Sequence, residues 1–168
     1  NNNYRGLDSD RDTYTEVRNI LRLYPEVLRA RPMLLFRCHN IRSLLFVPLV
    51  AKLRMEFYKD DLHPTSRGGL IAGRTKGPNV ITNLVAAHSS NVGVGYGNAE
   101  FQQLHEERCL AVLTKLRELG FLKKEDIREM DLLNVMIRSV NTCDYFPLKR
   151  FHFLCDWDPD ALLEPSEA

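Results

Sequence analysis

No apolar run in this 168-residue chain is long enough to cross a bilayer. The longest covers residues 44–51 and contains Pro48, against the ~20 apolar residues a spanning helix needs. Residues 1–12 are polar and lack the apolar stretch of a secretory signal. No membrane association is therefore expected, and the expected setting is intracellular, cytoplasmic or nuclear. Cysteine is sparse: Cys38, Cys109, Cys143 and Cys155 include no CxxC pair. A chain of this length can bury a core without disulfide staples, so free thiols in a reducing compartment are expected. Net charge is nearly absent at +1. The start on Asn1 rather than Met leads to the expectation of a fragment or a processed chain.

What is present fits one globular domain. Apolar residues make up 44% and charged residues 27%, close to globular averages, which argues against disorder of the whole chain. The charge is uneven. Residues 1–80 carry 14 Lys/Arg against 8 Asp/Glu, a net +6, and residues 81–168 carry 9 against 14, a net −5. Such asymmetry can mark an anion-facing half. The arginines are dispersed rather than packed into one short run, so an unevenly charged solvated surface explains them as well.

Along the chain, residues 1–12 read as a flexible lead and 13–168 as a single helical-repeat domain. Thr13 and Glu16 fit a capping box. Val17, Ile20, Leu21 and Tyr24 follow at helical spacing, and Pro25 closes that helix. A second helix is expected over 32–40. A third is expected from about Pro48, placed in the first turn where its missing N–H is harmless, with Leu49, Val50, Leu53 and Phe57 as its buried stripe. Residues 59–77, rich in Gly and Arg, read as an irregular loop, with Gly69-Leu70-Ile71-Ala72 as a candidate β-hairpin arm. Further helices are expected over 78–89, 98–119, 131–140 and 147–157, with a short charged turn at 124–130. Gly120 supplies the stop of the longest. At least six helices and little or no sheet follow from these stripes.

Two segments echo each other. Ile20-Leu21-Arg22-Leu23-Tyr24-Pro25-Glu26-Val27-Leu28 and Leu154-Cys155-Asp156-Trp157-Asp158-Pro159-Asp160-Ala161-Leu162 both read as a helix end, then Pro, an acid, a small or branched apolar residue and Leu. Their offset of 134 residues is about four units of the ~33-residue ankyrin period. The stretches Asn40-Ile41-Arg42-Ser43-Leu44-Leu45-Phe46-Val47-Pro48-Leu49-Val50-Ala51, Arg67-Gly68-Gly69-Leu70, Leu119-Gly120-Phe121-Leu122-Lys123-Lys124-Glu125-Asp126-Ile127 and Lys149-Arg150-Phe151-His152-Phe153-Leu154-Cys155-Asp156-Trp157-Asp158-Pro159 resemble the large, divergent ankyrin-like repeat proteins expanded in diatoms. The resemblance covers the chain from about Val17 onward. It implies an all-α, helical-hairpin repeat solenoid of degenerate ankyrin-like type, in which each unit buries its apolar face on its neighbour. The Thr-Pro-Leu-His-x-Ala signature of standard ankyrin repeats is absent. In such proteins a Pro-Leu-His motif usually follows the segment resembling 157–163, and the chain stops before that point.

Several patterns suggest chemistry. Gly93-Val94-Gly95-Tyr96-Gly97 precedes a helix, yet no strand leads into it and no Gly-Lys-Ser/Thr follows, so a connector is the better reading. His105 and Cys109, four apart, share a helix face, and His152 and Cys155 are three apart. The two pairs lie some forty residues from one another and fall on or beside apolar stripes, unlike a zinc site. Cys143 sits beside Asp144, which raises a thiol's pKa and disfavours a nucleophile. Glu106-Glu107 and Asp156, Asp158 and Asp160 read as solvated helix ends. Phe151, Phe153 and Trp157 could stack on bases, but core is the simpler role.

The expected function is a protein-interaction scaffold with no catalytic activity, no cofactor and no metal, binding an unidentified protein. The alternative is nucleic-acid or anion binding through the basic half, with Arg37, Arg42, Arg67 and Arg74, and also Arg31, as candidate contacts. The dispersion of those arginines disfavours nucleic acid. The last helix carries Phe151 and Phe153 about 200° apart, so a next repeat covering Phe153 or Trp157 is expected, and self-association without it.

Overall fold

A computed structural model describes residues 7–29, 41–60, 64–71, 79–86, 99–140 and 145–163. Of these, 73% are helical and none is in a strand, which places the protein in the all-α class. The helix expected over 32–40 and the glycine-rich segment at 93–97 lie outside the described residues.

Helix α1 (Tyr14–Leu23) starts on the expected capping box. The Thr13 hydroxyl accepts from the Glu16 N–H at 3.2 Å, and the Glu16 carboxylate accepts from the Thr13 N–H at 2.9 Å. Its inner face buries Val17 and Leu21. After the cap residue Tyr24 a short 3-10 helix, Pro25–Arg29, buries Leu28. Leu44–Phe46 forms another 3-10 turn leading into α2 (Val47–Phe57), whose first turn holds Pro48. Leu49, Val50 and Leu53 are buried as expected, whereas Phe57, at the helix end, is more than a third exposed.

The expected hairpin arm at Gly69-Leu70-Ile71 is not there. Pro64–Gly69 is a kinked 3-10 helix, with Arg67 and Gly68 in the left-handed region at φ +47° and +70°. The amides that a strand would offer to a neighbour are used locally. The Ile71 N–H donates to the Ser66 carbonyl at 3.1 Å, and the Leu70 carbonyl accepts from the Val80 N–H at 3.0 Å. The kink drives Gly68 onto α2, where an added Cβ would collide with the Ala51 carbonyl oxygen. Leu70 and Ile71 are thereby buried.

Asn79 caps α3 (Val80–Val85), accepting from the Thr82 N–H at 2.9 Å while the Thr82 hydroxyl accepts from the Asn79 N–H at 2.8 Å. Next comes α4 (Ala99–Glu118), twenty residues and therefore about 30 Å long. It stops at Gly120, φ +71°, where the Phe121 and Leu122 amides both reach back to the Leu116 carbonyl at 2.8 and 3.1 Å. This is the left-handed stop that glycine takes without a Cβ penalty. Then follow α5 (Asp126–Glu129), α6 (Leu132–Val140), α7 (Leu148–Trp157) and a final 3-10 turn, Pro159–Leu162.

The arrangement centres on α4. It packs against α2, the Leu44–Phe46 turn, α3 and α7, while α1 leans on α2, and α6 on α3, α5 and α7. One continuous apolar cluster runs from Val17 to Leu154. Of the lead expected to be flexible, residues 7–12 are tied to this body. The Ser9 N–H donates to the Arg42 carbonyl at 2.8 Å, and Arg108 of α4 reaches Asp10 at 2.7 Å and the Ser9 hydroxyl at 2.9 Å.

Candidate functional site

The most concentrated polar chemistry lies inside the molecule, between α3, α4 and α7. Glu106 and Arg150 are each about 1% exposed and bonded twice: Nε of Arg150 donates to Oε2 at 2.6 Å and its backbone N–H to Oε1 at 2.9 Å. The same guanidinium donates to the carbonyls of Leu84 at 2.5 Å and Ala86 at 3.1 Å. Those carbonyls stand at the C-terminal end of α3, where a helix lacks intrahelical donors. Arg150 thus ties three helices together. Glu106, read from sequence as part of a solvated helix end, is a core residue. It occupies the same stripe as Cys109, Leu113 and Leu116, and a carboxylate there is tolerable because Arg150 serves both its oxygens, one through Nε and the other through its backbone N–H.

Beside this pair stand His105 and Cys109, which the structure brings together as their spacing suggested. The Cys109 sulfur lies 3.7 Å from Nδ1 and 3.8 Å from Nε2 of His105. Burial pushes the Cys109 thiol up to about 11, the Glu106 carboxylate adding to the rise and Arg150 opposing it. A thiol that keeps its proton to that pH is a poor nucleophile at neutrality. Burial likewise raises the nearby Tyr145 hydroxyl. Among the described residues, no three His, Cys, Asp or Glu side chains group as a metal site would require.

Of the candidate arginines, Arg42 and Arg67 lie among the described residues. Arg67 is mostly buried, ion-paired with the fully buried Asp126 and donating to the Phe121 carbonyl at 3.2 Å. Arg42 bonds Asp8 at 3.2 Å. Arg37 and Arg74, with Arg31, lie outside the described residues. In the acidic tail Asp158 is also no solvated end: it is buried, bonded by Arg128 at 2.7 and 2.9 Å and approached by Lys124 at 3.4 Å. The hydrogen bond from Arg128 holds its carboxyl below the usual range, against the opposing effect of desolvation. Phe153 and Trp157 are half-buried, with the Arg117 guanidinium 4.4 Å from the Trp157 ring centre and 5.8 Å from that of Phe153. The apolar surface expected there is already partly covered.

Exposed apolar surface stands elsewhere. On α1 and the turn after it, Ile20, Leu23, Tyr24 and Val27 are each at least half exposed, Leu23 at 74%. Ile20, Leu23 and Tyr24 fall within about 100° of arc at ~3.6 residues per turn. They form an outward strip beside the buried line of Val17 and Leu21. At the other end of the chain Leu162 is more than half exposed and Leu163 is 79% exposed. No sequence signal announced the strip, because apolar residues at helical spacing read as core whichever way they face.

No helix among the described residues is long and apolar enough to cross a membrane. The chain matches no protein-family model, no curated protein and no solved structure.

Proposed function

We propose that the protein is a binding scaffold of degenerate helical-repeat type, without catalytic activity, whose contact surface is the outer face of α1. The observation that carries this reading is the strip of Ile20, Leu23, Tyr24 and Val27. Soluble surfaces scatter apolar residues singly, whereas several together on one helix face mark a place where another molecule sits. The capping box fixes the start of this helix, and Val17 and Leu21 anchor its inner side. The strip is therefore presented on a held element, which lowers the ordering cost of binding. The repeat character draws support from the two Pro-led turns at opposite ends of the chain, which fold alike. Binding of nucleic acid or another anion through the basic half is the weaker reading, since Arg67 would have to abandon a buried carboxylate to meet a phosphate.

A photo-crosslinking residue at position 23 tests the proposal, with position 115 on the exposed side of α4 as control. In an extract of the source cells, discrete protein adducts are expected from position 23 and not from position 115. Equal labelling from both positions would refute the α1 surface. A tight, salt-sensitive shift of duplex DNA that is unchanged by Leu23→Glu would favour the alternative.

A further inference from the structure

Residues 7–12 lie ahead of the first helix, and a small charged cluster ties them to the body. Three acids and three arginines are matched in it. Asp8 is bonded by Arg42 at 3.2 Å, Asp10 by Arg108 at 2.7 Å and Asp12 by Arg11 at 2.8 Å. The three acids share one turn. The Asp12 N–H donates to the Asp8 carbonyl at 2.6 Å, and Oδ1 of Asp8 accepts from the Asp10 N–H at 3.0 Å.

Ser9 stands in the middle of this cluster. Its N–H donates to the Arg42 carbonyl at 2.8 Å, and its hydroxyl accepts from Nη1 of Arg108 at 2.9 Å. The same Nη1 also donates to the Ile41 carbonyl at 2.9 Å, while Nη2 serves Asp10. Both Nη atoms of Arg108 are therefore engaged. With Asp8 buried and Ser9 half-buried, the closed lead withholds the hydroxyl from an enzyme. A stretch outside regular structure opens without breaking a helical ladder, and so at lower cost than the core. Once open, Asp8-Ser9-Asp10-Arg11-Asp12 offers a serine with carboxylates one and three positions on. That is the charge pattern by which acid-directed protein kinases choose a substrate.

We propose that Ser9 is a phosphorylation site whose phosphate keeps the lead off α4. In the transfer, Oγ of Ser9 attacks the γ-phosphorus of a nucleoside triphosphate held by the kinase. The Oγ–P bond forms, and the bond from that phosphorus to the bridging oxygen breaks. The nucleoside diphosphate leaves with the electron pair, and the hydroxyl proton passes to the kinase's base and on to solvent. The phosphoserine carries a charge of about −1.5 to −2 at neutral pH. Reclosing the lead brings that charge among Asp8, Asp10 and Asp12, whose arginines are already matched one to one. A phosphate set beside carboxylates disrupts by like-charge repulsion. To take it, Arg108 must give up Asp10 or the Ile41 carbonyl. The open lead uncovers Arg42 and also Arg108, whose side chain is 14% exposed in the closed state. The switch is separate from the α1 surface, since Thr13 and Glu16 cap that helix through bonds to each other.

Two measurements on the full chain test this. In the first, phosphoserine is incorporated at position 9 during synthesis and amide exchange is followed by nuclear magnetic resonance. The Ser9 and Asp12 amides are expected to exchange about 10- to 100-fold faster than in the unmodified chain, the factor for losing a charged hydrogen bond. The amides of α1 and α4 are expected to keep their rates. In the second, the unmodified chain is treated with an acid-directed serine kinase, magnesium and ATP. Fragment mass spectrometry is expected to place one phosphoryl group on Ser9, and Ser9→Ala to lose it. Arg108→Gln loosens the lead without a phosphate, circular dichroism confirming that it folds, and is expected to be modified at Ser9 faster than the wild type. No phosphate on Ser9 in either chain overturns the proposal. Amides that exchange at an unchanged or slower rate in the phosphoserine chain overturn it too, because Arg108 would then be clamping the phosphate. Equal rates of modification for Arg108→Gln and wild type would show that opening of the lead does not control access.

Discussion

Arg150 joins three helices through one buried side chain. It satisfies Glu106 and two carbonyls at the end of α3 in one guanidinium. Removing one partner of such a pair leaves an uncompensated buried charge, at a cost of about 3–5 kcal/mol. Arg150→Met alone is therefore expected to lower stability by about that amount in urea titrations. Glu106→Leu combined with Arg150→Met is expected to recover part of it, the two α3 carbonyls remaining unserved. Full additivity of the two single losses would show that the residues do not act as a pair. The pair was partly legible beforehand: Glu106 continues a helical stripe at 106, 109, 113 and 116, and Arg150 lies four residues before the buried Leu154. A charge in phase with an apolar stripe is itself a sign of a buried partner. Asp158 gave no such sign, because it caps a helix rather than lying along one.

At the scale of elements, the helices expected outside 32–40 are present among the described residues, though Ile20 and Tyr24, read as part of the apolar stripe of α1, are exposed. Thr13, Pro48 and Gly120 each act through local geometry that needs no distant partner, and local rules suffice to place them. The segment 64–71 is different. Its turns depend on contact with α2, and glycines in sequence do not reveal which neighbour they approach. Gly68 and Gly120 make the contrast measurable, since both have φ near +70°. An added Cβ at Gly120 meets open space, whereas at Gly68 it meets the backbone of Ala51. Gly120→Ala is expected to cost about 1–2 kcal/mol, the ordinary penalty of a left-handed alanine. Gly68→Ala is expected to cost clearly more, as α2 must retreat. Equal melting temperatures for the two variants would show that α2 yields freely. Arg67, also left-handed, is a non-glycine residue in a sparsely populated region, held there by its bond to Asp126.

Over the whole molecule, the all-α class was legible because apolar spacing determines element type. The tertiary arrangement was not, since stripes do not say which helices meet. The centre of the fold, α4, lies late in the chain, and it holds the lead through Arg108 and Asp10 across 98 positions. In a chain of independent stacked units the early helices could settle on one another as they are made. Here α2 and the Leu44–Phe46 turn would emerge during synthesis with one side waiting for residues about fifty positions further on. A truncation ending at residue 98 is accordingly expected to give no cooperative unfolding transition and rapid proteolysis. One extended through residue 163 is expected to give both a transition and protection. A cooperative 1–98 fragment would mean that the first half folds as a unit of its own. For a ribosome adding about 5–20 residues per second, the interval between making α2 and making its partner lasts several seconds. In that time the side of α2 and of the Leu44–Phe46 turn that will pack on α4 has only water, or a chaperone, to meet.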